Sequence, residues 1–201
     1  MRDSKYGNIY KFFEDNTIFH KPPYIYSSLY LLVRDAKVCL GYHPNKNDEI
    51  KMENHQGAEW PAIMTIFSGI DLLGKFLAGC DSTGSMGKRF KDFIEKYFNE
   101  GNDKNKKEPD IVLALRHAID HSFNLYSKDY KFSLINNQSD SLISDKLANN
   151  TTYKQVNVYK LYKNFQVAYE KYYEDLIKPG NTSLRENFNE MFINYGTVFM
   201  Y

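Results

Sequence analysis

Residues 110–126 read DIVLALRHAIDHSFNLY. At about 100° per residue, Ile111, Val112, Leu115, Ala118, Ile119, Phe123 and Tyr126 gather on one side of a helical wheel. The spacing therefore predicts a single helix from Asp110 to Tyr126. Asp110 suits the positive end of its dipole. Arg116 falls at one margin of the apolar stripe, while His117 and His121 share the far side at i, i+4.

Working back from this helix, residues 99–108 are a charged surface loop. Before it, Gly87-Lys88-Arg89-Phe90 opens a basic amphipathic helix that runs to Phe98, behind a Gly/Ser/Thr loop at residues 80–86. Residues 59–79 form the most apolar helix, with Pro61 in its first turn, where a missing N–H costs nothing. This helix is expected at the centre. Gly69 and Gly74 within it cost roughly 1 kcal/mol each against Ala, which close approach of another helix backbone would offset. Residues 42–57 are loop, and Tyr24 to Leu40 reads as a helix with Ile25, Leu29, Leu32, Ala36 and Leu40 on one face. Up to Pro22-Pro23 the chain is a polar, aromatic-studded arm with a short helix around Ile9 to Phe13.

Beyond Tyr126 the period changes. Residues 128–135 and 151–158 are β-prone and are expected to pair as a small antiparallel hairpin. Lys160 to Lys178 follows as a long helix stopped by Pro179-Gly180. Ser183 and Glu186 match a capping box that opens a last helix ending near Gly196. The apolar tail, residues 197–201, is expected to dock on the body or on a second subunit. The fold class is thus mostly α, a helical bundle with a small antiparallel β hairpin in the C-terminal third. All 201 residues make one domain, with residues 24–126 as its helical core and residues 127–201 as a β insertion and C-terminal helices.

The chain is 42% hydrophobic with a net charge of +1, so any nucleic-acid site has to be a local patch. No window suggests a membrane span or a signal peptide. Cys39 and Cys80 are unpatterned and fit free thiols in the cytoplasm; no zinc spacing is present, and no cofactor is implied.

Two readings of the polar group on the 110–126 helix stand side by side. In one, Arg116 pairs with Asp120 at i, i+4 for a few tenths of a kcal/mol, and the histidines are solvated. In the other, two imidazoles one turn apart serve as general acid and base, and the arginine holds a phosphate at two points. Asp71 and Lys75, also i, i+4, read either as a surface ion pair or with Asp71 turned into a cleft to hold His or Arg. Lys88, Arg89 and Lys91 at a helix start read as a solvated face or as contacts for a phosphate backbone. The tyrosines at 159, 162, 169 and 173 follow helical spacing and read as packing. His20, His43 and His55 read as surface residues in loops.

Arg116-His117-Ala118-Ile119-Asp120-His121 resembles the R-(N/D/H)-x3-H motif of the HEPN superfamily, and the helices before it are in keeping. The likeness covers residues 24–126. It implies a metal-independent endoribonuclease, in which the RNA 2′-hydroxyl attacks the adjacent phosphate. His121 would move the proton, Arg116 would steady the phosphoryl charge and His117 would assist. A turn of about 140° separates Arg116 from His121 on a regular helix, so two copies facing each other would surround a phosphate better than one. The expectation is a homodimer with residues 110–126 near its axis. A role as toxin or phage-defence effector, with an antitoxin or regulatory partner, follows from the likeness, as does the alternative of a non-catalytic module that binds nucleotide, RNA or protein.

Overall fold

The computed structural model describes residues 6–13, 24–42, 58–98, 108–137 and 141–200, leaving aside the side chains of His121 and Ser122. His20, His43 and His55 lie outside the described residues.

Helix α3 (Glu59–Ala78) is the centre, as its apolarity requires. It buries Ile63, Ile66, Phe67, Ile70, Leu73 and Phe76 against α2 (Ser28–Cys39), α4 (Met86–Tyr97), α6 (Val158–Ile177) and α7 (Thr182–Tyr195). By length and composition α3 could cross a membrane, which the sequence reading denied to every window. About half of that span is buried inside the bundle, where it forms the core. The two internal glycines are there for contact. A Cβ at Gly74 would lie 2.9 Å from the Arg89 carbonyl oxygen on α4, the expected helix-backbone approach. Gly69 instead makes room for the ring of Phe165 on α6.

Residues 24–27 are not the first turn of a helix. They form strand β1 (Tyr24–Ser27), antiparallel to β5 (Thr197–Met200), with Tyr24 opposite Met200 and Ser27 opposite Thr197. The tail therefore docks on the body. Ser27 ends the strand and starts α2: its hydroxyl donates to the Phe12 carbonyl at 2.6 Å and accepts from the Tyr30 N–H at 3.2 Å. Helix α1 (Gly7–Phe13) brings Phe12 into the core, its ring stacked 4.7 Å from that of Phe76.

The small sheet differs in detail from expectation. The segments at 128–135 and 151–158 do pair, but parallel, as β2 (Phe132–Ile135) and β4 (Thr151–Asn157). The antiparallel hairpin joins β4 to β3 (Ile143–Ala148), cut from the polar stretch between them and turned by Asn149 and Asn150 at φ 48° and 55°. Only Ile143 of β3 is half-buried, so its polar composition hid it. Asn157 ends β4 and caps α6, accepting from the Lys160 N–H. At the other end of α6 the buried Arg185 donates to the carbonyls of Leu176 and Lys178. Helix α7 has Asn181 at its N-cap without a side-chain bond, so the Ser183–Glu186 capping box is not formed.

Candidate functional site

The motif helix is α5 (Glu108–Ser122), shorter at its C-terminus than the periodicity predicts. Its apolar stripe, Ile111, Val112, Leu115, Ala118 and Ile119, is buried against α3 and α4. The stripe stops at Ile119. Phe123 adopts φ 45° and ends the helix, and Tyr126 leaves it altogether, donating its N–H to the Asn124 side chain at 2.8 Å. Instead of packing, Phe123 is 69% and Tyr126 56% exposed. A left-handed conformation in a bulky residue costs roughly 1–2 kcal/mol, so the surrounding turn must hold it there.

Arg116 is inside. Its side chain is 7% exposed, and its Nε and Nη2 donate to one oxygen of Asp71, Oδ2, at 2.8 and 2.6 Å. The expected partner Asp120 is present but more distant, at 3.5 Å. Met86 Sδ accepts from Nη2 at 3.1 Å, and the Phe90 ring centroid lies 5.7 Å from Cζ. Arg116 thus joins α5 to α3 through Asp71 and to α4 through Met86 and Phe90. Of the two readings of Asp71, the pairing with Lys75 gives way to the cleft-facing one that holds the arginine. Lys75 turns instead to Asp81, 2.8 Å away. Burial pushes the Asp71 carboxyl above its ordinary value, against the pull of Arg116.

His117 faces out on the neighbouring position of the same helix. The backbone carries His121 into the last turn of α5. The motif is therefore divided between an arginine in the bundle and His117 at its surface.

The other predicted contacts do not form one patch. Lys88 pairs with Asp92 at 2.5 Å and Lys91 with Asp110 at 2.9 Å. Arg89 is not a surface cation: it is 4% exposed and donates through Nη1 to the Ser82 carbonyl at 2.6 Å and to Ser85 Oγ at 2.7 Å. It folds the 80–85 loop back onto α4. Asp81 in that loop takes Lys75, Arg89 at 3.5 Å and the Tyr195 hydroxyl, and Lys75 and Tyr195 hold its carboxyl below the ordinary value. Beside it, a hydrogen bond from the Ser82 backbone draws the Cys80 thiol down, whereas burial pushes Cys39 up.

Sequence reading missed a groove of about 540 Å³ between α2, α3, α7 and β5. Leu31, Leu32, Leu72 and Val198 line it, with Asp71 and Lys75 among its polar groups. No sequence signal could have found it, because its walls come from both ends of the chain. Among the described residues no group of three His, Cys, Asp or Glu side chains could hold a metal ion. No family model, curated protein or solved structure matches the chain.

Proposed function

We propose that this chain is an RNA-binding module of the HEPN-like kind its motif resembles, and that it binds without cleaving. The observation that carries this reading is the burial of Arg116. A phosphate clamp needs an accessible guanidinium with donors to spare, and here two of its nitrogens are spent on Asp71 with 7% of the side chain exposed. Asp71 and Asp120 bring two negative charges to this one positive charge, so the immediate field repels a phosphate. Arg116 serves the bundle, and on this reading the edge of α5 that carries the exposed His117 meets the ligand.

A metal-independent endoribonuclease is the second reading, and one atom favours it. Arg116 Nη1 is buried without a hydrogen-bond partner, an expensive condition that a phosphate oxygen would relieve. On this reading a second copy facing α5 completes the cleft, Arg116 swings from Asp71, and His121 moves the proton.

The two separate in one assay. Wild type and His121→Ala are incubated with a mixed RNA substrate in EDTA, while binding is followed by fluorescence anisotropy. Binding by both proteins with no cleavage by either is the expected result. Cleavage by wild type that disappears in His121→Ala sinks the binding-only reading and installs the nuclease.

A further inference from the structure

We infer that Phe123 and Tyr126, flanked by Lys128 and Lys131, form a stacking site for unpaired RNA bases at the C-terminal end of α5. This inference rests on the RNA-binding reading above and names the form of RNA and the residues that take it.

The two rings are out of place as packing groups. Phe90, Phe93, Phe165 and Phe188 are buried, yet Phe123 and Tyr126 stand 69% and 56% exposed. Neither makes a ring–ring contact among the described residues, although most of their aromatic neighbours along the chain do. Phe123 also occupies φ 45°, a conformation that suits glycine or asparagine far better than an aromatic residue.

The rings are mounted on a fixed turn. The Asn124 side chain accepts from the Tyr126 N–H at 2.8 Å, and Tyr126 is bridged to Lys131. The Ser127 N–H donates to the Tyr130 carbonyl at 2.8 Å, and the Phe132 N–H to the Leu125 carbonyl at 2.7 Å. The backbone that carries the rings is thus ordered before a base arrives, so less of the stacking energy is spent on ordering the protein.

The charges on the turn fit a sugar–phosphate strand. Lys88, Lys91, Lys154 and Lys178 are each tied to a carboxylate. Lys128 and Lys131 are exposed, and neither has an ion-pair partner among the described residues. Asp129 lies between them, leaving one net positive charge on the turn. Two copies of this turn meeting across a two-fold axis would bring their lysines together, which disfavours a second copy as the occupant. A duplex is also a poor fit, because its base faces are already covered by their neighbours. An unpaired strand offers a π-face at every base and a phosphate for each lysine.

Binding of a fluorescein-labelled single-stranded oligoadenylate, and of a duplex of equal length, is measured by anisotropy across a salt series. Phe123→Gly is the informative variant, since it removes the ring while placing at φ 45° the residue that prefers it. The expected results are preference for the single strand and a loss of about tenfold in affinity for Phe123→Gly and for Tyr126→Ala. Both variants should unfold no earlier than wild type by more than a few degrees. Lys128→Ala and Lys131→Ala should each lower the salt slope by roughly 0.7. If the single strand binds both ring variants as tightly as wild type, the stacking site is wrong and the RNA-binding reading survives. If wild type binds neither RNA, that reading falls and takes the site with it. If loss of the rings instead converts a dimer to a monomer in sedimentation equilibrium, the face belongs to a second copy and the inference is overturned.

Discussion

Arg116 shows how one side chain decides between chemistry and architecture. Exposed ion pairs at i, i+4 contribute a few tenths of a kcal/mol, and a pair with Asp120 alone would have been of that kind. The pair actually formed, with Asp71 on another helix, has one partner 7% and the other 20% exposed. Removing Arg116 leaves Asp71 desolvated without its guanidinium, and removing Asp71 leaves Arg116 only the more distant Asp120, at a cost of roughly 3 kcal/mol, the low end for buried pairs because Asp71 retains some solvent. Arg116→Ala and Asp71→Ala are therefore each expected to lower unfolding free energy by about that much in urea titrations. The double variant should fall short of their sum by about 1–3 kcal/mol, because the second deletion removes a charge already orphaned. Strict additivity would mean that the two side chains do not share an interaction, and would return Arg116 to the surface reading.

At the scale of helices, the glycines of α3 test whether contact or propensity governs. Ala in place of Gly74 gains about 1 kcal/mol of helix propensity. The added Cβ would meet the Arg89 carbonyl oxygen at 2.9 Å, backbone that cannot rotate aside. Overpacking of this kind costs about 1–3 kcal/mol, so Gly74→Ala should destabilise, with a lower midpoint in thermal unfolding. A higher midpoint would show that α3 and α4 part without cost. This closeness of approach was legible in the sequence, as were α3, α4, α6 and the existence of α5, because each has a wide apolar face at helical period. The C-terminus of α5 was not legible: Phe123 and Tyr126 continue the stripe perfectly well, and only the left-handed turn at Phe123 and the Asn124 side chain break it. Strand β1 was hidden likewise, since Ile25 and Leu29 fit a helix and its partner lies at the far end of the chain. In the site, the sequence placed Arg116 and Asp71 among the candidates, but which oxygen met which guanidinium depended on the packing of α5 against α3.

Across the whole molecule, burial is graded from the α3–α6 axis outward. Ile63, Ile66, Phe67, Ile70, Leu73, Leu161, Phe165 and Tyr172 have no exposed surface, whereas Val198, Phe199 and Met200 of β5 are 37%, 59% and 43% exposed. Strand β5 meets β1 across four pairs, of which only Ser27 is fully buried while Val198, Phe199 and Met200 stay exposed, so the pairing returns little. The hairpin of β3 and β4 is local, and while β4 buries Val156, β3 contributes only the half-buried Ile143. Local stability should follow the same gradient, because opening a segment is cheap where few apolar contacts are lost. Native-state hydrogen exchange is therefore expected to leave the amides of Glu59–Ala78 and Val158–Ile177 protected longest. Those of Thr197–Met200 and Ile143–Ala148 should exchange first, with α5 between the two groups. Slowest exchange in β1 and β5 would mean that the two ends of the chain, not the central helices, hold the bundle closed. Intermediate protection in α5 would also place the edge carrying His117 on a helix firm enough to keep a binding surface in shape, yet less deeply anchored than the core beneath it.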